Sequence, residues 1–262
     1  MATLMLSVSG ARGIVGDGLD AAEAWRLALA FDRVAAPGPV LLGRDSRPSG
    51  PGLAAAAAAA LRSAGRAVED LGLVTTPTVQ VAVKSGGAGG GIVVTASHNP
   101  PQWNALKFVG AGGAFLDAAA MRRLIDLFGA TPPPADPPPA LRAPSRPAGA
   151  AESAAGEEEA GADARSRPPS AGGELAPEAF RAGVTPAGLA AVDEHVRLIL
   201  RDADEDRIRA AGLRVVVDAV HGAGGVLVAP LLARLGVAVE WIDGEPDGRL
   251  PERPEPRAER LG

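Results

Sequence analysis

The chain has 262 residues, 47% of them apolar, a formal net charge of −5 and no cysteine. That composition suffices for one or two packed domains and excludes thiolate catalysis, disulfides and cysteine metal sites. Arginines dispersed on an acidic balance form no nucleic-acid stripe, residues 1–14 lack the basic start and long apolar run of a signal peptide, and the alanine-rich run at 53–61 is too short to span a bilayer. A cytoplasmic protein with no nucleic-acid or membrane partner is the expectation.

Apolar runs then alternate with helical patterns. Residues 40–42 predict a strand, 51–64 a helix, 67–71 a strand, 76–83 a helix or extended segment, 92–95 a strand and 118–128 a helix. Together they make an α/β domain over residues 1–130. Residues 131–175 hold 10 of the 24 prolines and, as large aliphatics, only Leu141 and Leu175. Such a stretch cannot bury a core, so a disordered insertion is expected, with Glu157, Glu158 and Glu159 as solvated charge. In residues 176–262 a helix at 186–210, a strand at 214–218, a helix at 225–235 and a strand at 237–242 predict a second, parallel βαβ unit.

The chemistry concentrates in Thr95-Ala96-Ser97-His98-Asn99-Pro100, delivered by Ile92-Val93-Val94 and followed by Asn104-Ala105-Leu106-Lys107-Phe108. A β-branched run ending in small, polar and Pro residues puts Ser97 on an exposed turn at the end of a strand, where ligands of α/β sheets bind. A serine hydroxyl needs a base or a positive field to become a nucleophile, and His98 and Lys107 are the candidates. Asn99 and Pro100 favour a rigid turn, and the glycines between Gly86 and Gly91 admit close backbone approach. A lone Ser-His pair would not outweigh the reading of an ordinary surface serine. The choice of cations shifts that balance. Of 26 basic residues only Lys84 and Lys107 are lysines, and a partly buried lysine can release its proton where arginine cannot. Lys107 is thus a candidate general acid/base, while Lys84 fits a leftover surface lysine. The Ser97 context is not the Gly-x-Ser-x-Gly elbow, no Gly-Lys-Ser/Thr follows the glycines, and His98, His195 and His221 lack metal-ligand spacing. His195 lies in an amphipathic helical pattern that predicts packing; His221, at a strand-to-glycine turn, stays open.

Four segments carry a resemblance: Ser9-Gly10-Ala11-Arg12-Gly13-Ile14-Val15-Gly16; Gly43-Arg44-Asp45-Ser46-Arg47-Pro48-Ser49-Gly50; the serine loop with Asn104 to Lys107; and Val215-Val216-Val217-Asp218 with Gly222-Ala223-Gly224-Gly225. Their order resembles the α-D-phosphohexomutase family, and the first and third are most similar to its phosphoglucosamine mutases. The resemblance implies an α/β fold, in which domain I, a mixed sheet with flanking helices, is followed by an incomplete α/β domain II. It implies an intramolecular phosphotransferase that interconverts hexose 6-phosphate and hexose 1-phosphate through a phosphoserine and a hexose bisphosphate. Phosphoglucosamine mutase is the first reading, phosphomannomutase or phosphoglucomutase the alternative. Ser97, Lys107, His98 and Arg12 would be catalytic, Arg44 and Asn99 would contact substrate phosphate, and Mg²⁺ would be the cofactor, with phosphorylated Ser97 as its ligand. Positioned cations suit the charge of a transferring phosphoryl group. The Arg44-Asp45-Ser46-Arg47 turn reads equally as a structural ion pair or a ligand contact.

The end of the chain departs from the family. Glu245-Pro246-Asp247-Gly248-Arg249-Leu250-Pro251 resembles the segment before the family's metal loop, and neither that loop nor the sugar-reading and distal-phosphate domains follow within 262 residues. An N-terminal half that is inactive alone, or a non-catalytic fragment that binds sugar phosphate, is therefore expected. Asp202 to Arg207 superficially resembles the metal motif, but its place at the end of a helix argues for a solvated helix terminus. Asp243, Glu245 and Asp247 read as turn carboxylates.

Overall fold

The computed structural model describes residues 4–133 and 177–251. The first span forms β1 (Met5–Ser7), β2 (Gly10–Val15), β3 (Gly18–Leu19), α1 (Ala21–Asp32), β4 (Val40–Arg44), α2 (Gly50–Ser63), β5 (Val68–Leu73), α3 (Thr76–Gly86), β6 (Gly90–Val94), β7 (Trp103–Gly110) and α4 (Ala118–Ala130). The second holds a single 3₁₀ turn at Pro177–Phe180, then α5 (Pro186–Leu200), α6 (Glu205–Ala210), β8 (Arg214–Asp218), α7 (Gly224–Arg234) and β9 (Ala238–Ile242). Apart from residues 131–133, the expected insertion at 131–175 lies outside the described residues.

The large sheet is mixed, in the order β1-β2-β7-β6-β4-β5 with β3 beside β2. β4 runs parallel to β5 and β6, whereas β6–β7, β7–β2 and β2–β1 are antiparallel. β6 is buried along its whole length and β4 along all but Arg44, as strands covered on both faces must be. One face packs α1, α2 and α4 through Leu27, Phe31, Leu53, Leu61, Met121 and Leu124, with the Phe31 and Phe108 rings 5.3 Å apart. The alanine run of α2 is an interface: Ala56, Ala57 and Ala60 are fully buried, and their small side chains let α1 and α2 approach closely.

The other face packs α3 and is completed by the second span. Val192, Val196 and Leu200 of α5 and Val226 of α7 join Leu41, Leu71, Val79 and Val93 in one apolar layer. Residues 183–185 run beside the outer strand β5: Leu73 N donates to Gly183 O at 2.8 Å and Thr185 Oγ1 to Asp70 O at 2.6 Å. The seam is tight, since a Cβ at Gly188 would lie 2.0 Å from Leu71 O.

Several sequence expectations change. The segment at 76–83, left between helix and extended chain, is helix α3, capped by Thr75. The single helix expected at 186–210 is two, because Asp204 caps a new start at Glu205. Glu205 and Asp206 therefore sit in a first helical turn, where negative charge suits the helix dipole. The glycines of β6 make room for helices: a Cβ at Gly90 would lie 2.8 Å from the Phe31 ring, and one at Gly91 2.9 Å from Val83. No described helix is long and apolar enough to cross a membrane.

Candidate active site

β6 ends at Val94, and the chain crosses to the antiparallel β7 through residues 95–102. Ser97 leads this loop into solvent with φ +55°, a left-handed conformation that few non-glycine residues adopt. Its amide donates to Thr95 Oγ1 at 3.1 Å, and Thr95 Oγ1 donates to Asp45 Oδ2 at 2.6 Å. The Asn99 side-chain amide donates to Ala96 O at 2.7 Å and closes the turn. His98 is also exposed; its Nδ1 lies 3.4 Å from Ser97 Oγ, the outer limit of a hydrogen bond.

The register of the sheet brings the basic candidates together. Lys107 on β7 pairs with Val93 on β6, and Arg12 on β2 pairs with Ala105 on β7. Residues two apart on a strand share a face, so Arg12, Ala105 and Lys107 lie on one side, next to the end of β6. The Arg12 guanidinium sits 5.8 Å from the Trp103 ring centroid, and Lys107 Nζ is 5.8 Å from that of Phe115. Burial lowers the Lys107 pKa from its ordinary value, the Asp45 carboxylate works against that shift, and the Arg12 charge adds to it. Desolvation with one carboxylate and one guanidinium nearby is how a lysine is tuned for proton transfer.

The Arg44-Asp45-Ser46-Arg47 turn, open between two readings, divides into different roles. Arg47 is fully buried. Its Nη1 donates to Pro100 O at 2.8 Å and Trp103 O at 2.9 Å, its Nη2 to Ser97 O at 2.9 Å and Asn99 O at 2.7 Å, and its Nε to Asp45 Oδ2 at 3.2 Å. Burial pushes the Asp45 carboxyl above its usual range, with Thr95 and Arg47 pulling it back. Arg44 Nη1 donates to Asp45 O at 3.2 Å, and its Nη2 lies beside Gly183, at the seam with the second span. Asn104, also fully buried, donates to Ser49 Oγ at 2.8 Å and accepts from Ala105 N, tying the start of β7 to the start of α2.

The second span reaches the same turn through His221, which the sequence left open, and two carboxylates read as turn residues. Ser46 Oγ donates to His221 O at 2.8 Å, and the His221 ring sits between Asp243 Oδ1 at 3.2 Å and Asp247 Oδ1 at 3.3 Å. Among the described residues no group of three or more His, Asp and Glu gathers as a metal cage. His195, read from sequence as a packing residue, is buried with Nδ1 3.0 Å from Thr78 Oγ1.

An exposed left-handed serine thus stands at the mouth of a mixed sheet, with a lysine and an arginine on the neighbouring strands. The profile described as "Phosphoglucomutase/phosphomannomutase, alpha/beta/alpha domain I" matches residues 4–132, and that of "alpha/beta/alpha domain II" matches residues 193–261. The chain belongs to the phosphoglucomutase/phosphomannomutase family. A phosphoglucosamine mutase of Synechococcus sp. (strain WH7803) is 44% identical over 124 residues, 47% of this chain and 27% of the relative. A probable phosphoglucosamine mutase of Methanopyrus kandleri is 30% identical over 255 residues, 97% of this chain and 46% of the relative. The solved structure of a putative phosphomannomutase from Thermus thermophilus shares the fold with a TM-score of 0.67 at 24% identity, covering 100% of this chain and 51% of that one. The chain thus spans about half the length of the relatives that match nearly all of it.

Proposed function

We propose that this chain carries the phosphoryl-accepting half of a hexose-phosphate mutase, with Ser97 as the phosphoryl carrier. Ser97 Oγ attacks a phosphorus of a hexose bisphosphate; the Oγ–P bond forms as the sugar O–P bond breaks. Lys107 takes the serine proton and returns it to the freed sugar oxygen. Arg12 offsets charge on the transferring oxygens, and His98 lies beside the nucleophile. Phosphorylated Ser97 gives its phosphoryl group to the free hydroxyl of a hexose 6-phosphate by the reverse of these events, and Ser97 then takes the other phosphoryl group from the reoriented bisphosphate, which completes the interconversion of hexose 6-phosphate and hexose 1-phosphate. The observation that carries this reading is an exposed, left-handed Ser97 beyond the end of β6 with a half-buried Lys107 of lowered pKa on the strand paired to β6. Glucosamine phosphate is the substrate we favour, because relatives named phosphoglucosamine mutase match at up to 52% identity, that figure over 82 residues.

Mg²⁺ is the cofactor we assign by family. The described residues do not form a cage for it, so phosphorylated Ser97 is the one ligand we assign to it, and no step above is routed through it. We expect residues 1–262 alone to take up phosphate at Ser97 without sustaining steady turnover.

A coupled assay with glucosamine 6-phosphate, glucose 1-phosphate and mannose 1-phosphate, each with Mg²⁺ and the matching bisphosphate, tests this reading. A longer relative carrying this half should turn over and lose turnover on Ser97→Ala. Turnover that survives Ser97→Ala would overturn the assignment, and a preference for mannose or glucose phosphate would overturn the substrate.

A further inference from the structure

We propose that Asp45 and Arg47 are a positioning pair that holds the Ser97 loop in its phosphoryl-accepting geometry. The proposal rests on the function assigned above to Ser97, but it is argued from the hydrogen bonds of the turn after β4.

A guanidinium has five N–H donors in a fixed planar fork. In Arg47 all five are used: Nε on Asp45, two on Pro100 O and Trp103 O, two on Ser97 O and Asn99 O. With the side chain fully buried, none remains for a substrate phosphate, so Arg47 is not a ligand-contacting residue. A simple ion pair is equally insufficient, because four of the five bonds go to backbone carbonyls of one loop some fifty residues away in sequence.

That loop holds Ser97 at φ +55°, and both peptide groups flanking Ser97 lead back to the pair. The Ser97 carbonyl accepts from Arg47 Nη2. The Ser97 amide donates to Thr95 Oγ1, whose own proton goes to Asp45 Oδ2. Asp45 in turn accepts from Arg47 N at 3.0 Å as well as from Nε, so three donors converge on its two oxygens. Fixing a carbonyl and an amide on either side of one residue fixes its φ and ψ, and thereby the direction of Cβ and Oγ. A strained nucleophile conformation persists only where the surroundings over-determine it.

Arg66 makes the contrast. It also binds carbonyls, those of Asp32, Ala36 and Gly38, together with the Asp32 carboxylate. Its guanidinium side chain keeps 16% of its surface in water, against none for Arg47, and it holds a connection with no left-handed non-glycine residue among residues 32–38. The Arg47 clamp differs in having its guanidinium fully buried and in holding the strained serine.

The test compares the 262-residue chain with Arg47→Ala and Thr95→Val, by hydrogen exchange of the amides at 95–103 and by single-turnover phosphorylation of Ser97 from glucose 1,6-bisphosphate with Mg²⁺. In both variants the loop amides should lose protection while β4 and β6 keep theirs. The phosphorylation rate at saturating bisphosphate should fall on the order of 10²-fold, the cost of a misplaced reacting group, with the half-saturating concentration unchanged. Millimolar methylguanidinium should restore rate and protection to Arg47→Ala and not to Thr95→Val. Loop protection that survives in Thr95→Val, or in a folded Arg47→Ala, overturns the proposal. A wild-type chain that takes no phosphate overturns the parent reading instead, and exchange still decides this one.

Discussion

Glu23, in the first turn of α1, should make folding stability fall between pH 4.5 and about 7. Its carboxyl is pushed from 4.5 up to about 7 by burial first and by hydrogen bonding to Asp20 second, with Arg26 working the other way. Asp20, the N-cap, is lowered chiefly by the same hydrogen bond, so the two carboxyls share one proton as a pair. A group whose folded pKa is raised binds its proton more tightly in the native state. Its contribution is complete below the unfolded value of 4.5 and is lost as pH rises through about 7. The full gap would correspond to roughly 3 kcal/mol at 1.36 kcal/mol per unit. Glu23 keeps 25% of its side chain in water, and the opposite shift of Asp20 cancels part, so about 1 kcal/mol survives. The assay is urea unfolding of wild type and Glu23→Gln at closely spaced pH values from 4 to 8. Because Gln carries the hydrogen bond without titrating, the stability difference between the two proteins should change by about 1 kcal/mol across that window, with the titrating groups outside the Asp20–Glu23 pair cancelling in the difference. A difference that stays constant with pH would refute the reasoning, whatever its absolute size.

Lys107→Arg keeps the charge and removes the group able to give up its proton and act as a base, so single-turnover phosphorylation of Ser97 should slow by roughly 10²- to 10⁴-fold; a near-normal rate would show that charge alone matters. His195 is held below its ordinary 6.5 by burial, so the neutral ring belongs to the native state. Stability is complete above pH 6.5 and falls as pH drops below it, and His195→Gln should flatten that acid limb in the same unfolding series. Gly10→Ala adds a Cβ 2.3 Å from Leu106 O at a residue with φ +114°. It should separate β2 from β7, costing more than about 1 kcal/mol in unfolding and slowing Ser97 phosphorylation through the displaced Arg12.

The α/β alternation was legible because β4 and β6 are buried on both faces and therefore read as unbroken apolar runs. The exposed position of Ser97 was legible for a related reason, since a run such as Ile92-Val93-Val94 has to stop where the sheet ends. α1 escaped attention although Asp20 and Glu23 mark its start and Leu27 and Phe31 its buried stripe; its alanine-rich body carries a weak amphipathic signal. β1 and β3 have three and two residues, too short for any period to show. β7 was quoted for its motif and not recognised as a strand, because apolar residues stand on both parities, with Asn104 in line with Leu106 and Phe108 and Lys107 in line with Ala105 and Val109, so no clean alternation shows. The helix break at 201–204 has no Gly or Pro, and only the Asp204 cap marks it.

At the site, sequence order identified the serine loop, and strand register decided what stands beside it. The pairing of Arg12 with Ala105 and of Lys107 with Val93 is a fact of register that no local pattern encodes. Arg47 shows the limit most clearly. The Arg-Asp-x-Arg turn allowed an ion pair or a ligand contact, and the outcome depended on four carbonyls contributed by a loop that is distant in sequence. His221, Asp243 and Asp247 likewise meet only because β8 and β9 lie parallel and end together.

The central claim is that Ser97 carries the phosphoryl group. Mass spectrometry of the purified 262-residue chain after incubation with glucose 1,6-bisphosphate and Mg²⁺ tests it most directly. The account predicts a single added phosphate, located on Ser97 by peptide sequencing and absent from Ser97→Ala. Phosphate on any other residue, or an unmodified chain under conditions where a longer relative is phosphorylated, would contradict it.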